Sequence, residues 1–179
     1  MYAESVTLVP VELPEQREAA RTLLLEYLQW IADIALSTYG LSFDIDAMVR
    51  SDIEDCSKFY PPTGRFYLVQ RNGVHVGVGC LKRLAPDVAE IQRMYIQPHV
   101  RGIGAGRALV ERLLRDAREL GYAKVCLESL RALYPAHSLY RSIGFVEVGP
   151  YSDNSMNAYQ DPETLSAYQK SAIFMELSL

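Results

Sequence analysis

Three alternating glycines precede a helical pattern and could bind an anion. They lie in residues 101–107, whose sequence is Arg-Gly-Ile-Gly-Ala-Gly-Arg. Glycine has no Cβ, so main-chain amides can approach a ligand closely, and the free amides at a helix N-terminus attract negative charge. The segment therefore predicts a phosphate site, although a glycine-rich turn that only begins a helix would have the same composition.

The net charge of the chain limits what that anion can be. The 179 residues include 18 Lys and Arg against 22 Asp and Glu, which gives a formal net charge of −4. Proteins that bind nucleic acid broadly are basic, because neutralising phosphates supplies most of their affinity. We therefore expect one local anion site and no nucleic-acid partner.

Two common phosphate-binding loops do not fit the segment. The Rossmann loop has the spacing Gly-x-Gly-x-x-Gly, which differs from the spacing here. The Walker loop ends in Gly-Lys-Ser or Gly-Lys-Thr, and the chain contains neither sequence. A nucleotide-binding α/β domain is therefore only a weaker alternative.

The pattern Arg-x-x-Gly-x-Gly, from Arg101 to Gly106, resembles the pyrophosphate loop of the GNAT superfamily of acetyl-CoA-dependent N-acetyltransferases. Residues 89–96 are similar to the fourth strand of that family, and residues 139–145 are similar to its later motif Leu-Tyr-x-x-x-Gly-Phe. The two motifs stand about 40 residues apart in the family's order, and the similarity covers nearly the whole chain. The chain thus resembles the small, single-domain, bacterial-type members of the superfamily.

The resemblance implies acetyl-CoA as cosubstrate and no metal. The strand before the loop would bind the pantetheine arm through its main chain, and the glycine loop would surround the pyrophosphate. Many members have Asn where this chain has Leu133, so Ser138 is a candidate to replace that hydrogen bond. The residues expected to bind acetyl-CoA are Met94, Tyr95, Ile96, Arg101, Gly102, Ile103, Gly104, Ala105, Gly106, Arg107, Ser138 and Arg141.

The resemblance also implies direct transfer to a primary amine, with two catalytic residues. Tyr140 would be the general acid that protonates the departing thiolate; the alternative is a core aromatic residue, in a chain with 12 tyrosines. Glu90 matches the glutamate that acts as general base, through a water, in the histone-directed branch. An ordinary solvated strand residue is an equal alternative for Glu90, and Glu128 on the neighbouring strand is another candidate base.

The histidines and cysteines do not form a recognisable metal site. The three histidines and three cysteines are widely spaced, without a zinc-binding pattern. His137 is expected to pack against its neighbours. Cys126, between Val125 and Leu127, is expected to be a small buried hydrophobic residue.

Acidic and aromatic residues are concentrated in the region that precedes residue 61, where the resemblance implies part of the acceptor site. If these residues form an acidic and aromatic rim around that site, the rim would attract a cationic amine, either a small molecule or a peptide. A solvated helix face with aromatic residues in the core explains the pattern equally well. The residues are Trp30, Tyr39, Phe43, Asp44, Asp46, Asp52, Glu54, Asp55, Phe59 and Tyr60. A polar loop over residues 150–170, with Tyr151, Tyr159 and Tyr168, would close over the acceptor or join two copies in a homodimer.

Hydrophobic periodicity predicts the elements that must position these residues. Helices are expected from Pro14 to Gly40, from Ile45 to Lys58 after a cap at Asp44, before Gly121, and from Pro135 to Gly144. Strands are expected at residues 6–9, 66–70, 74–84, 88–96, 124–128, 145–148 and 172–177, with a hairpin turn at Asn72-Gly73.

The order of these elements predicts an α/β fold. By the resemblance, it has a mixed, mostly antiparallel sheet with splayed central strands and helices on both faces. We expect residues 1–179 to form one domain. The first residues do not resemble a signal peptide and no apolar run is long enough to span a bilayer, so we expect a cytoplasmic protein without a membrane partner. A CoA-binding module without catalysis is the alternative function.

Overall fold

The computed structural model describes residues 6–54, 56–151 and 161–179, which form five helices and seven strands. The helices are α1 (Pro14–Tyr39), α2 (Ile45–Glu54), α3 (Ala105–Glu119), α4 (Tyr134–Ile143) and α5 (Pro162–Ser171). The strands are β1 (Val6–Pro10), β2 (Arg65–Arg71), β3 (Val74–Ala85), β4 (Val88–Ile96), β5 (Lys124–Leu130), β6 (Val146–Val148) and β7 (Ala172–Ser178). Two 3₁₀ turns cover Cys56–Phe59 and Pro98–Val100.

The strands form one sheet in the order β1-β2-β3-β4-β5-β7-β6. Every neighbouring pair is antiparallel except β4 and β5, which run parallel. Pairing between β4 and β5 begins at Val88 and Lys124 and ends at Glu90 and Cys126, although both strands continue. The splayed central strands and the mostly antiparallel sheet are therefore confirmed.

Helices cover both faces of the sheet. Residues of α3 and α4 pack in one core cluster that includes Leu109, Leu113 and Tyr140. Residues of α1, α2 and α5 pack in clusters on the opposite face, such as Leu28 and Tyr168. The cleft described below lies between these two layers of helices, at the point where the sheet opens.

Local signals in the sequence explain most of the boundaries. Gly40 ends α1 with φ +68°, a conformation that glycine adopts without strain. Asp44 caps α2, because its Oδ1 accepts the Ala47 amide at 2.9 Å. The hairpin turn is confirmed, with positive φ at both Asn72 and Gly73. Helix α2 ends at Glu54, earlier than predicted. Among the described residues, no helix has both the length and the apolar character needed to cross a membrane.

The prediction of a polar loop over residues 150–170 is wrong in part, because α5 occupies most of its second half. Asp161 caps this helix by accepting the amides of Glu163 and Thr164, and Pro162 stands at its first position. An Asp-Pro pair of this kind is a helix-start signal, so the sequence did contain the information. Residues 152–160, which include Tyr159, lie outside the described part of the chain.

Candidate active site

A cleft of about 590 Å³ opens where β4 and β5 separate. Its walls come from β4, β5, the start of α3, α4 and one side of α1. The predicted site residues that line it are Met94, Tyr95, Ile96, Arg101, Gly102, Gly104, Ala105, Gly106, Arg107 and Tyr140. The predicted site residues that do not line it are Glu90, Ile103, Ser138 and Arg141.

A β-bulge at Arg93 shapes the β4 side of the cleft. Between the pairs Gln92–Cys80 and Tyr95–Val78, β4 has two residues where β3 has one. Arg93 takes φ +55°, in the left-handed region that costs an L-residue about 1–2 kcal/mol. No glycine or asparagine stands at this position, so no local feature of the sequence predicts the bulge.

The bulge changes which β4 residues face α3. Ala89 and Ile91 pack in the cluster on the α3 side before the bulge. Met94 and Ile96 pack against that same cluster after it, so the alternation has moved by one residue. Since the ladder with β5 has already ended, this stretch of β4 borders the cleft instead of another strand.

Arg93 is bound through its side chain to a buried carboxylate on α2. Asp52 is fully buried, and its two oxygens accept Nε of Arg93 at 2.5 Å and Nη2 at 3.3 Å. Lys58 donates to the same carboxylate at 2.8 Å. Burial alone would raise the pKa of Asp52, but the two cations lower it below its ordinary value of 3.8. Asp52 is therefore an internal ion-pair partner and not part of an acidic rim.

The glycine loop presents unbonded amides at the start of α3. Gly102 and Gly104 have φ +82° and +87°, and Gly104 caps α3 without a side-chain hydrogen bond. In the described part of the chain, no acceptor is bonded to the amides from Gly102 to Arg107. Gly106 lies against Leu139, which a Cβ would meet at 3.4 Å. This arrangement fits an anion such as the pyrophosphate of acetyl-CoA.

The two arginines of the loop have different surroundings. Arg101 donates from Nε to the Ile96 carbonyl at 2.8 Å, and its Cζ lies 4.8 Å from the centre of the Trp30 ring. Arg107 donates to Ser142 Oγ at 2.7 Å, which links α3 to α4. Arg101 therefore places its charge beside the aromatic residues of the α1 side, while Arg107 lies on the first turn of α3.

Three predicted cofactor residues lie at the surface, outside the cleft lining. Ile103 and Ser138 are exposed. Arg141 is also exposed and pairs with Glu147 at 3.2 Å. Contact with acetyl-CoA remains a prediction for all three.

Tyr140 lies in the wall of the cleft with its ring in the core. It is 6% exposed and packs edge-on against Phe145, with ring centres 5.9 Å apart. Within the described ranges, its hydroxyl forms no hydrogen bond. Burial raises the pKa of Tyr140 well above its ordinary value, so the hydroxyl keeps its proton and can act as a donor.

Glu90 is buried behind the cleft. It is 0% exposed. Its oxygens accept the Tyr151 hydroxyl at 2.9 Å and the Gln92 amide at 2.8 Å, and Lys82 Nζ lies 3.5 Å away. Gln92, which donates to Glu90, does line the cleft, whereas Glu90 itself does not.

Glu128 on β5 is the carboxylate among the described residues that line the cleft. It is partly exposed. The hydroxyl of Tyr168 on α5 donates to it, and burial followed by the charge of Glu128 raises the pKa of Tyr168. Helix α5 thus holds the carboxylate of Glu128, and no other Asp or Glu among the described residues lines the cleft.

His137 and Cys126 are both buried. His137 is 3% exposed, contacts Ser129 Oγ at 3.1 Å, and has its pKa lowered by burial and then by Arg141. Cys126 is 3% exposed, and burial raises its pKa to about 11. The packing roles predicted for both residues agree with these positions. Within the ranges described, no group of His, Cys, Asp or Glu could hold a metal ion.

The predicted acidic and aromatic rim is largely absent. Of its aromatic residues, only Trp30 lines the cleft, while Tyr39, Phe43, Phe59 and Tyr60 pack in or against the core. Asp46 and Glu54 are exposed on α2 and lie outside the lining, and Asp55 is outside the described residues. Tyr27 and Ile34 of α1, predicted only as helix residues, join Trp30 in the lining.

Residues 20–145 match the family model described as the Acetyltransferase (GNAT) family. The match covers more than half of the chain, so the chain belongs to this family, whose members use acetyl-CoA. It is therefore an acyltransferase.

Comparisons with individual proteins agree with this assignment. The chain is 29% identical over 157 residues to an uncharacterised N-acetyltransferase of Schizosaccharomyces pombe, covering 86% of this chain and 91% of that protein. It is 32% identical over 115 residues to the N-acetylaspartate synthetase of Danio rerio, covering 63% of this chain but only 41% of that longer protein. The PaiA N-acetyltransferase of Thermoplasma acidophilum, solved with coenzyme A, shares the fold at a TM-score of 0.67 and 17% identity, covering 98% and 99% of the two chains.

Proposed function

We propose that this enzyme transfers the acetyl group of acetyl-CoA directly to a primary amine, with Tyr140 as general acid and a glutamate of the central strands as general base. The observation that carries the proposal is that one cleft is lined by the glycine loop, by Tyr140 and by Glu128. The amine would belong to a small molecule or a peptide.

Acetyl-CoA would supply a thioester, whose carbonyl carbon is open to attack by an uncharged amine. The unbonded amides of Gly102 to Arg107 support pyrophosphate binding at the start of α3. The main chain of Met94 and Ile96, which borders the cleft beyond the ladder with β5, would hold the pantetheine arm.

Tyr140 would protonate the sulfur as the carbon–sulfur bond breaks. Its raised pKa keeps the proton on the hydroxyl before the transfer. Protonation of the leaving sulfur avoids a negatively charged thiolate in a buried site, where water cannot stabilise the charge. The tyrosinate that forms would regain a proton from solvent after the products leave.

Glu128 is the better placed of the two candidate bases. A base must reach the proton that it removes directly or through one water, and Glu128 lines the cleft whereas Glu90 does not. Glu90 would have to act through a water beside Gln92, because its own oxygens accept hydrogen bonds from Tyr151 and Gln92.

Release of free thiol from acetyl-CoA, measured over a panel of amines, tests the proposal. We expect thiol release with at least one primary amine and calorimetric binding of CoA. Tight CoA binding without thiol release on any amine would favour the non-catalytic module instead.

The substitutions Glu128→Gln and Glu90→Gln distinguish the bases. We expect Glu128→Gln to lower kcat by about 10²–10⁴-fold, the usual contribution of general base catalysis, and to remove the acidic limb of the pH–rate profile. Glu90→Gln should keep that limb. The reverse result, with Glu128→Gln unchanged and Glu90→Gln inactive, would assign the base to Glu90 and its water.

A further inference from the structure

We propose that the buried ion pair between Asp52 and Arg93 is a positioning device for acetyl-CoA, because it holds the β-bulge that directs the main chain of β4 into the cleft. The inference rests on the proposed function, since it assumes that acetyl-CoA binds along β4. It concerns residues that neither the glycine loop nor the catalytic pair includes.

The backbone at Arg93 needs an external constraint. An L-residue avoids φ +55°, and such a conformation persists where the surrounding structure over-determines it. At Arg93 the surrounding structure is specific: the guanidinium is 9% exposed and bound at two nitrogens by the fully buried Asp52. Because Asp52 belongs to α2, a helix on one face of the sheet fixes the local backbone of a central strand.

The bulge in turn determines what the cleft presents. Without it, strict alternation would place residue 95, and not residues 94 and 96, on the side where Ala89 and Ile91 pack. Tyr95 instead faces α1, where its hydroxyl donates to Glu26 at 2.7 Å. The bulge therefore sets which amides and carbonyls border the cleft between Gln92 and Ile96.

The opposite strand is fitted to the bulge. Gly79 is the single β3 residue that lies opposite the two bulge residues of β4, Arg93 and Met94. A Cβ at Gly79 would lie 2.8 Å from Met94 Sδ and 2.7 Å from Leu109 Cδ2. The sheet is therefore crowded on the face that packs against α3. On the opposite face, the side chain of Arg93 anchors the bulge through Asp52 of α2.

The comparison of Arg93→Ala with Arg93→Gly tests the proposal. Both variants remove the same guanidinium and leave Asp52 paired with Lys58 at 2.8 Å, but only glycine adopts a positive φ without strain. We expect Arg93→Ala to raise the Kd for CoA about 5–30-fold, the equilibrium equivalent of one strained L-residue. Arg93→Gly should remain within about twofold of the wild type, and Asp52→Asn should weaken CoA binding in the same direction as Arg93→Ala.

Calorimetry with CoA supplies the readout, at a temperature where circular dichroism shows each variant folded. In turnover, the KM for acetyl-CoA should rise more than kcat falls. Asp116→Asn is the matched control: Asp116 is also buried and bonded to an arginine, Arg112, at 3.1 Å, but Arg112, unlike Arg93, does not line the cleft. It should lower stability and leave the CoA Kd unchanged.

Equal CoA affinities for Arg93→Ala and Arg93→Gly would overturn the inference, whether both match the wild type or both are weak. A loss of CoA affinity in Asp116→Asn equal to that in Arg93→Ala would also overturn it, because general destabilisation would then explain both. Failure of the wild type to bind CoA would instead overturn the proposed function, before any variant is compared.

Discussion

Tyr140 combines a buried ring with a position in the lining of the cleft. The ring is fixed by Phe145 and the surrounding core, so the oxygen is held in place without a hydrogen-bonding partner among the described residues. A donor that is oriented in advance pays little to reorganise when charge develops beside it. The same burial that makes Tyr140 a core residue therefore also suits it to donate a proton.

We expect Tyr140→Phe to lower kcat by about 10²–10⁴-fold and to leave the CoA Kd within about twofold, because only the proton donor is removed. Steady-state kinetics and calorimetry measure the two quantities. Tyr122→Phe is the control, since Tyr122 is also buried and loses a hydrogen bond to the Thr63 carbonyl, outside the cleft. An unchanged kcat for Tyr140→Phe would remove this residue from the mechanism.

The sequence predicted the cleft position of Tyr140 because its motif is local: the helix and the following Gly144 and Phe145 determine it. The surroundings of Glu90 were not predictable in the same way. Its partners, Lys82 and Tyr151, come from a hairpin strand and from a segment about 60 residues later. Only the folded sheet shows that this carboxylate is enclosed while Glu128 reaches the cleft.

At the level of elements, the proposed CoA site depends most directly on the start of α3. Gly104 takes φ +87° at the N-cap, and Gly121 takes φ +82° just beyond the other end of the same helix. A Cβ would meet no atom within 4 Å at either position. The two glycines thus share their backbone constraint and differ in whether a ligand would lie beside them.

We expect Gly104→Ala and Gly121→Ala to lower the free energy of unfolding by a similar amount, about 1–2 kcal/mol each. Only Gly104→Ala should weaken CoA binding, because its methyl group would stand where the pyrophosphate approaches the amides. Urea unfolding and calorimetry separate the two effects. Weakened CoA binding in both variants to the same extent would contradict this assignment.

Helix and strand boundaries followed from the sequence where caps and periodicity agreed, as at Pro14 and Gly40 or along β4. Helix α5 was missed because most of its ten residues are polar and only Tyr168 and Ser171 are buried. The hydrophobic pattern that marks an amphipathic helix is weak there. The Asp161-Pro162 start carried the information that periodicity did not.

For the whole molecule, Asp52 ties the α1–α2 layer to the sheet. Arg93 and Lys58 both face its carboxylate, and burial raises the pKa of the nearby Tyr27 and Cys80, so neither of these adds a charge in acid. Its pKa is lower in the folded chain than in the unfolded chain. The stability it contributes is therefore complete above its ordinary pKa and is lost as pH falls through the lower, folded-state pKa.

We expect Asp52→Asn to lower the free energy of unfolding by about 3–5 kcal/mol at neutral pH, since it leaves a buried cation without its counter-ion. The difference from the wild type should shrink as pH falls below about 4, because Asp52 of the unfolded wild type takes up a proton there before Asp52 of the folded chain does. Urea unfolding at a series of pH values measures this. A difference that stays constant down to about pH 2.5 would show that Asp52 titrates identically in both states.

The position of β7 has a consequence for how the protein is made. Strand β7 comes last in chain order among the strands described, yet it lies inside the sheet, with all seven residues paired to β5 and three paired to β6. Chains emerge from the ribosome N-terminus first, so β5 waits with one open edge until residues 172–178 appear. An open edge can pair with another chain. The wall that carries Glu128 therefore closes only after residues 172–178 emerge, and until then its edge can pair with another chain.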